Sequence, residues 1–213
     1  MELNHKNLCD IAVKWLQRPY SQKGPACNFA VAEVASGWSG EIPDAIGFRM
    51  SGGGDDGSHL VEVKVSRSDF LSDAKKPHRS GETVGMGNWR YYMCPVDLIK
   101  PEELPPKWGL LYVNTRGHVK SIVSPFLNNS WNYRTEALKT MFFKSDYERE
   151  TFLLVRLLAR LGDVEKYNED LKAARRENSR LVKLCNEQKK ALRDSQHESS
   201  RLRRALEVKE KAA

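Results

Sequence analysis

The sequence predicts an α/β fold, in which a mixed sheet is flanked by helices, followed by a long C-terminal helix. Three observations predict this arrangement: an amphipathic segment opens the chain, six short segments rich in branched and aromatic residues follow it, and a proline-free tail rich in Glu, Lys, Arg and Leu ends it. Helical segments that precede and interrupt a series of strands are typical of a sheet covered by helices.

The opening segment, residues 3–17, has apolar side chains at the spacing i, i+3, i+4, i+7 and i+8. These side chains belong to Leu8, Ile11, Ala12, Trp15 and Leu16. The spacing follows the helical repeat of about 3.6 residues, so all of them lie on one face. We therefore expect an amphipathic helix, which Pro19 ends.

The strand candidates are separated by breaks rich in Gly, Ser and Pro. They are residues 29–36, 42–49, 59–66, 89–98, 108–114 and 118–124. We expect the first three to form sequential antiparallel strands. A second helix, capped by Ser66 or Ser68 and ended by Pro77, is predicted between the third and fourth strands.

Residues 51–58, SGGGDDGS, connect the second and third strand candidates and contain three consecutive glycines. Glycine-rich loops can cradle phosphate, but this one lacks the Gly-Lys-Ser/Thr ending, and no helical segment follows it. We interpret it as a flexible hairpin connection.

The composition changes at Ser145, after which proline is absent. This change predicts an N-terminal domain of residues 1–144 and a helical, coiled-coil-prone tail of residues 145–213. Within the tail, apolar and small polar positions alternate at spacings of three and four, as in a heptad repeat. They are Val164, Tyr167, Leu171, Ala174, Asn178, Leu181, Cys185, Gln188, Leu192, Ser195, Ser199, Leu202 and Leu206.

This heptad seam is diluted by polar residues, among them Asn178 at a position that faces the partner in a coiled coil. We expect a weak parallel homodimer through the C-terminal helix, or a protein partner bound at that helix. The alternative is a lone, partly frayed helix exposed to solvent.

The bulk composition bounds the class of protein. A chain of 213 residues with 40% hydrophobic content can bury one ordinary core. Its formal net charge of +7 favours polyanionic partners. The four cysteines, Cys9, Cys27, Cys94 and Cys185, are far apart and form no metal-ligand or disulfide pattern. No segment is apolar enough to span a membrane. We expect a cytoplasmic protein without a membrane partner.

The third strand candidate places Glu62 and Lys64 on one face, because side chains two residues apart on a strand point the same way. A hairpin that turns in the glycine loop brings Asp44 across from Glu62. Two carboxylates a few ångströms apart repel each other unless a divalent cation neutralises them. Such a cation activates water for attack on phosphorus, and a lysine stabilises the developing charge. These residue types indicate phosphodiester hydrolysis.

Pro43-Asp44 followed by Glu62-Val63-Lys64 on neighbouring strands resembles the PD-(D/E)xK nuclease superfamily. The segments VEVKVSRSDFLSDAKKPHR (61–79) and YYMCPVDLIKPEELPPKWGLLYV (91–113) resemble the MmcB-like branch of DNA-repair proteins. The resemblance covers residues 5–125. It implies a restriction-endonuclease-like core, a DNA substrate, and a bacterial or phage setting.

Carried over to this chain, the resemblance implies that Asp44 and Glu62 bind Mg²⁺ or Mn²⁺, with the backbone carbonyl of Val63 as a third ligand. It also implies that Lys64 is the catalytic lysine. Glu33 is the best candidate for a further catalytic carboxylate, or else an ordinary exposed strand residue. Asp69 matches the pattern of the branch and is a weaker candidate for the site.

Basic residues follow the third strand, with Trp89 and Tyr91 interleaved. Those that we expect to contact DNA phosphates are Arg67, Lys75, Lys76, Arg79 and Arg90. The two aromatic residues either stack on unpaired bases or lie in the core. His59 and His118 are isolated in the sequence, so we assign neither to the metal.

The leading hypothesis is therefore a Mg²⁺-dependent deoxyribonuclease that acts in DNA repair or processing. The first alternative is a catalytically silent nuclease-fold module that binds DNA or a protein partner and assembles through the C-terminal coil. The second alternative makes the helical tail the functional part and the N-terminal domain its anchor.

Overall fold

The computed structural model describes residues 2–34, 42–73, 84–162 and 164–212. For residues 161, 164, 198 and 200–212, only the backbone is described. The chain divides into two compact units between Arg156 and Leu157. The first unit holds the sheet and all residues discussed as a site.

Six strands form one mixed sheet in the order of the sequence. They are β1 (Phe29–Ala32), β2 (Ala45–Arg49), β3 (Gly57–Val63), β4 (Trp89–Pro95), β5 (Gly109–Val113) and β6 (Val119–Val123). Strands β1, β2 and β3 are antiparallel, β3, β4 and β5 are parallel, and β6 returns antiparallel to β5. The predicted α/β class and the six predicted strands are confirmed, as is the antiparallel order of the first three.

The described residues also form five α-helices. They are α1 (His5–Leu16), α2 (Arg67–Asp73), α3 (Trp131–Thr140), α4 (Tyr147–Leu161) and α5 (Val164–Ala212). Short 3-10 turns lie at Tyr20–Gln22 and Pro101–Glu103. The sequence predicted α1, α2 and the helical tail, but not α3.

Helix α1 begins at the predicted place because Asn4 caps it, its side chain accepting a hydrogen bond from the backbone N–H of Asn7. Its buried face consists of the predicted apolar residues, with Cys9 added and Ile11 only partly buried. This face packs against strands β1 to β4 and forms the main core. Trp15 lies at its centre, with its ring centroid 5.0 Å from that of Tyr91.

Strand alternation separates two environments on β3. Val61 and Val63 belong to the core beneath α1. Glu62 lies between them and therefore points to the opposite face of the sheet. Tyr92 on the neighbouring β4 points the same way as Glu62, because its neighbours Tyr91 and Met93 are also in the α1 core.

The glycine loop is the hairpin connection between β2 and β3, as predicted. The carboxylate of Asp56 accepts hydrogen bonds from the backbone N–H groups of Ser51 and Gly52, each at 2.7 Å. These bonds hold the pKa of Asp56 below its usual value. Donors that a phosphate-binding loop would present to a ligand are thus used inside this loop.

Glu150 fastens the start of α4 to the sheet. One of its carboxylate oxygens accepts hydrogen bonds from the Ser58 hydroxyl at 2.7 Å and from the Gly87 backbone N–H at 2.8 Å. The N-terminal part of α4 consequently belongs to the first unit. The predicted boundary after residue 144 lies before this helix, whereas the division between the two units lies within it.

Helix α5 exposes its described side chains along its length. Leu171, Leu181 and Leu192 of the heptad seam are among the exposed apolar residues. The coiled coil stays a prediction. No helix in the described ranges combines the length and the apolar character that crossing a membrane requires.

His59 is buried in the core on β3, where its ring stacks on Trp89 with centroids 4.6 Å apart. Its Nδ1 lies 3.3 Å from the hydroxyl oxygen of Tyr91. Burial lowers the pKa of His59 to about 3, and the positive charge of Arg49 contributes in the same direction. The imidazole is therefore neutral and structural.

This depressed pKa predicts a pH dependence of stability. Below pH ~6.5 the unfolded imidazole binds a proton that the folded one refuses until pH falls to about 3. We expect His59 to reduce the free energy of unfolding by up to about 1.4 kcal/mol per pH unit across this window. We measure the free energy of unfolding by urea denaturation between pH 4 and 7. Its slope against pH should be shallower in His59→Phe than in the parent protein.

His118→Phe is the matched control, because His118 is exposed. Its slope should equal that of the parent protein. Equal slopes for the parent and His59→Phe would contradict the assignment of a neutral, buried His59.

Candidate active site

The candidate site lies at the C-terminal end of β3. In the antiparallel pair β2–β3, Ala45 lies opposite Val61, so the preceding residue Asp44 comes beside Glu62. One carboxylate oxygen of Asp44 accepts a hydrogen bond of 2.7 Å from the backbone N–H of Val63. The predicted approach of Asp44 to the Glu62-Val63-Lys64 segment is thus present in the structure.

His5, in the first turn of α1, completes the solvent-facing part of the site. Its Nε2 is 3.1 Å from the other carboxylate oxygen of Asp44. Its Nδ1 lies 3.8 Å from a carboxylate oxygen of Glu33 and 3.6 Å from the sulfur of Cys9. Asp44 is largely buried, whereas His5 and Glu33 are open to solvent.

Glu33 reaches His5 through an unusual backbone conformation. It directly follows β1 and has φ of 52°, in the left-handed region that residues other than glycine seldom adopt. Its N–H points between the carbonyl oxygens of Pro43, at 3.2 Å, and Asp44, at 3.3 Å. Such strain, of order 1 to 3 kcal/mol, collects at functional sites. Glu33 is therefore fixed beside Asp44, directly after β1, and its catalytic role stays a prediction.

His5, Cys9 and Asp44 offer ligand atoms that all lie within 4.8 Å of one another. Burial raises the pKa of Cys9 to about 12, and the negative charges of Asp44 and Glu33 are the next causes. The thiol is therefore protonated at neutral pH. Glu62 is not one of the three ligands in this group.

Glu62 belongs instead to a buried network around Lys64. The ammonium nitrogen of Lys64 lies 3.6 Å from a carboxylate oxygen of Glu62 and 3.4 Å from one of Asp73. Asp69 is at the margin, 4.0 Å from the same nitrogen. The side chain of Lys64 is only 4% exposed. A lysine is buried to this degree only when carboxylates pair with it.

Tyr92 contacts this network through Asp73. Its hydroxyl donates a hydrogen bond of 2.9 Å to the second carboxylate oxygen of Asp73. The Tyr92 ring is itself fixed by stacking on Trp108, with centroids 4.5 Å apart. Asp73 therefore orients the Lys64 ammonium between two carboxylates. Asp69 and Asp73 lie four residues apart on α2, a spacing that puts both on one helical face.

The structure thus arranges the predicted residues, together with His5 and Asp73, as two adjoining groups. The outer group is His5, Asp44 and Glu33, and the inner group is Glu62, Lys64 and Asp73. The two groups meet at Val63, whose N–H binds Asp44 while its chain neighbours are Glu62 and Lys64. Metal ligation by the Val63 carbonyl stays a prediction. Sequence reasoning missed His5, Asp73 and Tyr92.

The prediction that Arg90 contacts DNA is wrong. Arg90 is buried, and its guanidinium donates hydrogen bonds to the backbone carbonyls of Gly87 at 3.1 Å and Gly85 at 2.9 Å. It also lies over the Phe143 ring, 4.4 Å from the centroid. These contacts give it a structural role. Trp89 and Tyr91 are likewise buried in the core.

Arg67 is exposed enough to reach a ligand, but it forms a two-pronged ion pair with Glu103 on the 3-10 turn. That pairing holds the pKa of Glu103 down to about 2. Phosphate binding by Arg67 would have to compete with this carboxylate and stays a prediction. Lys75, Lys76 and Arg79 lie outside the described residues.

No protein family matches the chain, and no curated protein matches it. One solved structure similar to it is the SPO1766 protein of unknown function from Silicibacter pomeroyi. That protein shares 17% sequence identity, with a TM-score of 0.43, and the match covers 78% of this chain and 96% of the other. The resemblance to the PD-(D/E)xK superfamily stays a prediction.

The buried network predicts a large cost for removing Lys64. Lys64→Met leaves the carboxylates of Glu62 and Asp73 buried without their ammonium, so we expect the free energy of unfolding to fall by about 3 to 5 kcal/mol. Urea denaturation at pH 7 measures the change. Lys120→Met, on the exposed side of β6, should cost less than about 0.5 kcal/mol. Equal losses in the two variants would show that the network contributes nothing.

Proposed function

We propose that the chain is a metal-dependent nuclease that hydrolyses DNA phosphodiester bonds in DNA repair or processing. The observation that carries the proposal is the junction of the two groups at the end of β3. There, solvent-facing metal-ligand types adjoin a buried carboxylate and lysine of the Glu-x-Lys pattern. A bound cation and a fixed positive charge near the leaving or attacking oxygen both stabilise the transition state of phosphodiester hydrolysis.

The residues present fit a divalent cation. Asp44 and Glu33 offer carboxylate oxygens, His5 offers an imidazole nitrogen, and Glu62 adjoins them through β3. Carboxylates suit Mg²⁺ and Mn²⁺ alike, whereas an imidazole suits Mn²⁺ better than Mg²⁺. A bound cation supplies Lewis acidity toward a phosphoryl oxygen and lowers the pKa of a bound water. We therefore propose Asp44, Glu62 and His5 as ligands, with Glu33 as an outer one, and Mn²⁺ as the preferred ion.

Lys64 supplies the fixed positive charge. Glu62 and Asp73 hold its ammonium from two sides, and Tyr92 holds Asp73. Because the network excludes water, the charge of Lys64 acts through a lower effective dielectric than it would at the surface. In this role Lys64 orients water or stabilises negative charge that develops on the phosphate. Asp73 and Tyr92 are positioning residues that act through Lys64.

A specific observation favours a second candidate function, a nuclease-fold module that binds DNA or a protein without cleaving. Lys64 and Glu62 are both about 4% exposed, and a mutually paired, dry lysine and glutamate also suit a purely structural ion pair. In this case the outer group would not need to bind metal. Metal binding and cleavage therefore separate the two functions.

The proposed function predicts metal-dependent cleavage that needs Glu62. Purified protein is incubated with supercoiled, linear and single-stranded DNA in Mg²⁺, Mn²⁺ or EDTA. We expect cleavage in Mn²⁺ and more slowly in Mg²⁺, none in EDTA, and a loss of at least about a hundredfold in Glu62→Gln. Glu102→Gln, at an exposed position, is the matched control and should cleave normally.

Calorimetry with the same proteins tests the site independently of turnover. Mn²⁺ should bind the parent protein, bind Asp44→Asn weakly or not at all, and bind His5→Asn more weakly than it binds the control His118→Asn. Bound Mn²⁺ without cleavage of any of the three DNA forms would limit the function to binding. The absence of both Mn²⁺ binding and cleavage would leave the silent module as the function.

We further propose that α5 assembles the protein, either as a parallel homodimer or with a partner's helix, through the heptad seam. The location that we propose is the cytoplasm, because all four cysteines are free and three of them are buried as thiols. Cys185, on the seam, is the exposed one. Neither the assembly through α5 nor the cytoplasmic location requires a disulfide.

The seam predicts which substitutions change the assembly. Leu181 and Leu192 lie on the seam, whereas Val182 and Leu184 are equally exposed but lie off it. Changing both seam leucines to lysine should convert a dimer to a monomer in light scattering. The paired change of Val182 and Leu184 to lysine should leave the dimer intact. A parent protein that is monomeric at all concentrations would exclude the homodimer and leave the partner's helix.

A further inference from the structure

A pocket of about 380 Å³ lies at the opposite end of the sheet from the candidate active site. Its apolar wall comes from the start of β4 and from α3 and the residues after it: Trp89, Trp131, Leu138 and Phe142. Its other wall is the end of the glycine loop, just before β3. At about 3.3 Å per residue, the loop wall of the pocket is about 20 Å from Glu62 along β3, and Trp89, which pairs with His59, is about 10 Å from it.

Arg134 of α3 lines this pocket and is 92% buried, with 8% of its surface exposed. Its guanidinium carbon lies 4.0 Å from the centroid of the Tyr20 ring and 5.0 Å from that of Trp131. Among the described residues, no carboxylate or carbonyl pairs with this guanidinium. Contacts with ring faces do not use the in-plane N–H donors of the guanidinium, so these donors remain available to a ligand. The arrangement suits an anion in the pocket.

The loop wall offers a hydrogen-bond acceptor, the carboxylate of Asp55. One carboxylate oxygen of Asp55 accepts a hydrogen bond from the Tyr20 hydroxyl and forms an ion pair with Arg49, whose Nε lies 3.3 Å away. The other oxygen has no donor among the residues that the structure describes. Asp55 is itself buried, and Arg49 fixes its position. The free oxygen can accept a hydrogen bond from an amino group of a ligand.

Trp131 and Phe142 add stacking surfaces. Both line the pocket and are 62% and 44% exposed, so part of each ring is open to a ligand. Exposed aromatic side chains beside a cation are the combination that binds nucleobases together with their phosphates. A pocket of this size accommodates one nucleotide unit.

We propose that this pocket binds a nucleoside monophosphate unit, with the phosphate on Arg134, the base on Trp131 or Phe142, and an amino group of the base on Asp55. The unit is either a free mononucleotide or the phosphorylated end of a strand. The proposal goes beyond the proposed nuclease function, because binding needs neither metal nor cleavage. Lys139, exposed at the rim, adds a second positive charge.

The test is titration of the full-length protein in EDTA with dAMP, dGMP, dCMP and dTMP, followed by tryptophan fluorescence and calorimetry. The three nucleotides whose bases carry an amino group should bind at least several-fold more tightly than dTMP. Deoxyadenosine and inorganic phosphate, given separately, should each bind at least about tenfold more weakly than dAMP.

Three variants locate the binding. Trp131→Ala should weaken dAMP binding by about tenfold, whereas Tyr147→Ala, which removes another exposed aromatic, should not. Arg134→Gln should abolish the preference for dAMP over deoxyadenosine. Should Arg134→Gln fail to fold, Lys139→Ala replaces it and should reduce that preference several-fold, with Lys120→Ala as its control. Glu62→Gln should bind dAMP like the parent protein.

Several results would overturn the proposal: no binding of any nucleotide at millimolar concentration, equal affinity for inorganic phosphate and dAMP, unchanged affinity in Trp131→Ala, or loss of binding in Glu62→Gln. Competition between dAMP and a short oligonucleotide then identifies the source. An oligonucleotide that competes only when 5′-phosphorylated assigns the pocket to strand ends. Failure to compete in either form, with dAMP bound, assigns it to free mononucleotides.

Discussion

The two-residue alternation of β3 is the constraint on which the rest of the structure depends. Val61 and Val63 are fixed in the core beneath α1, so Glu62 and Lys64 must lie on the opposite face. A slip of one residue would bury the polar pair under α1 and expose the valines. The hydrogen bond from Val63 to Asp44 transmits the same register to the start of β2. The site therefore takes its rigidity from the packing of the core.

The network around Lys64 is not explained by stability alone. Taking an ammonium and two carboxylates out of water costs several kcal/mol for each ion, and well-packed apolar side chains often stabilise such a place as well or better. Here the arrangement is reinforced instead: Tyr92 donates to Asp73, Trp108 stacks on Tyr92, and α2 carries Asp73 to Lys64. The strained backbone of Glu33 adds a further cost beside the same strand end. Energetic costs of this kind cluster at active sites and ligand-binding sites of proteins in general.

Local periodicity explains how much could be predicted from the sequence. The six strands, the buried face of α1 and the approach of Asp44 to Glu62 follow from alternation, helical spacing and a hairpin turn. His5 was missed because its contact with Asp44 joins residues 39 positions apart and depends on how α1 packs. Asp73 and Tyr92 were missed for the same reason, because their contact depends on how α2 packs beside β4. Arg90 was misassigned because charge alone does not reveal that backbone carbonyls surround it.

Lys64 and Arg134, both buried in the first unit, differ in the groups that surround their charges. Lys64 lies within 4.0 Å of carboxylates from β3 and α2, which fix the position of its ammonium group at the end of β3. Arg134 is buried between two aromatic rings, and no carboxylate among the described residues pairs with it. Its charge therefore remains available to an anion that enters the pocket. Because Lys64 follows the end of β3 and the pocket of Arg134 begins at its start, a ligand on one can be bound without displacing a ligand on the other.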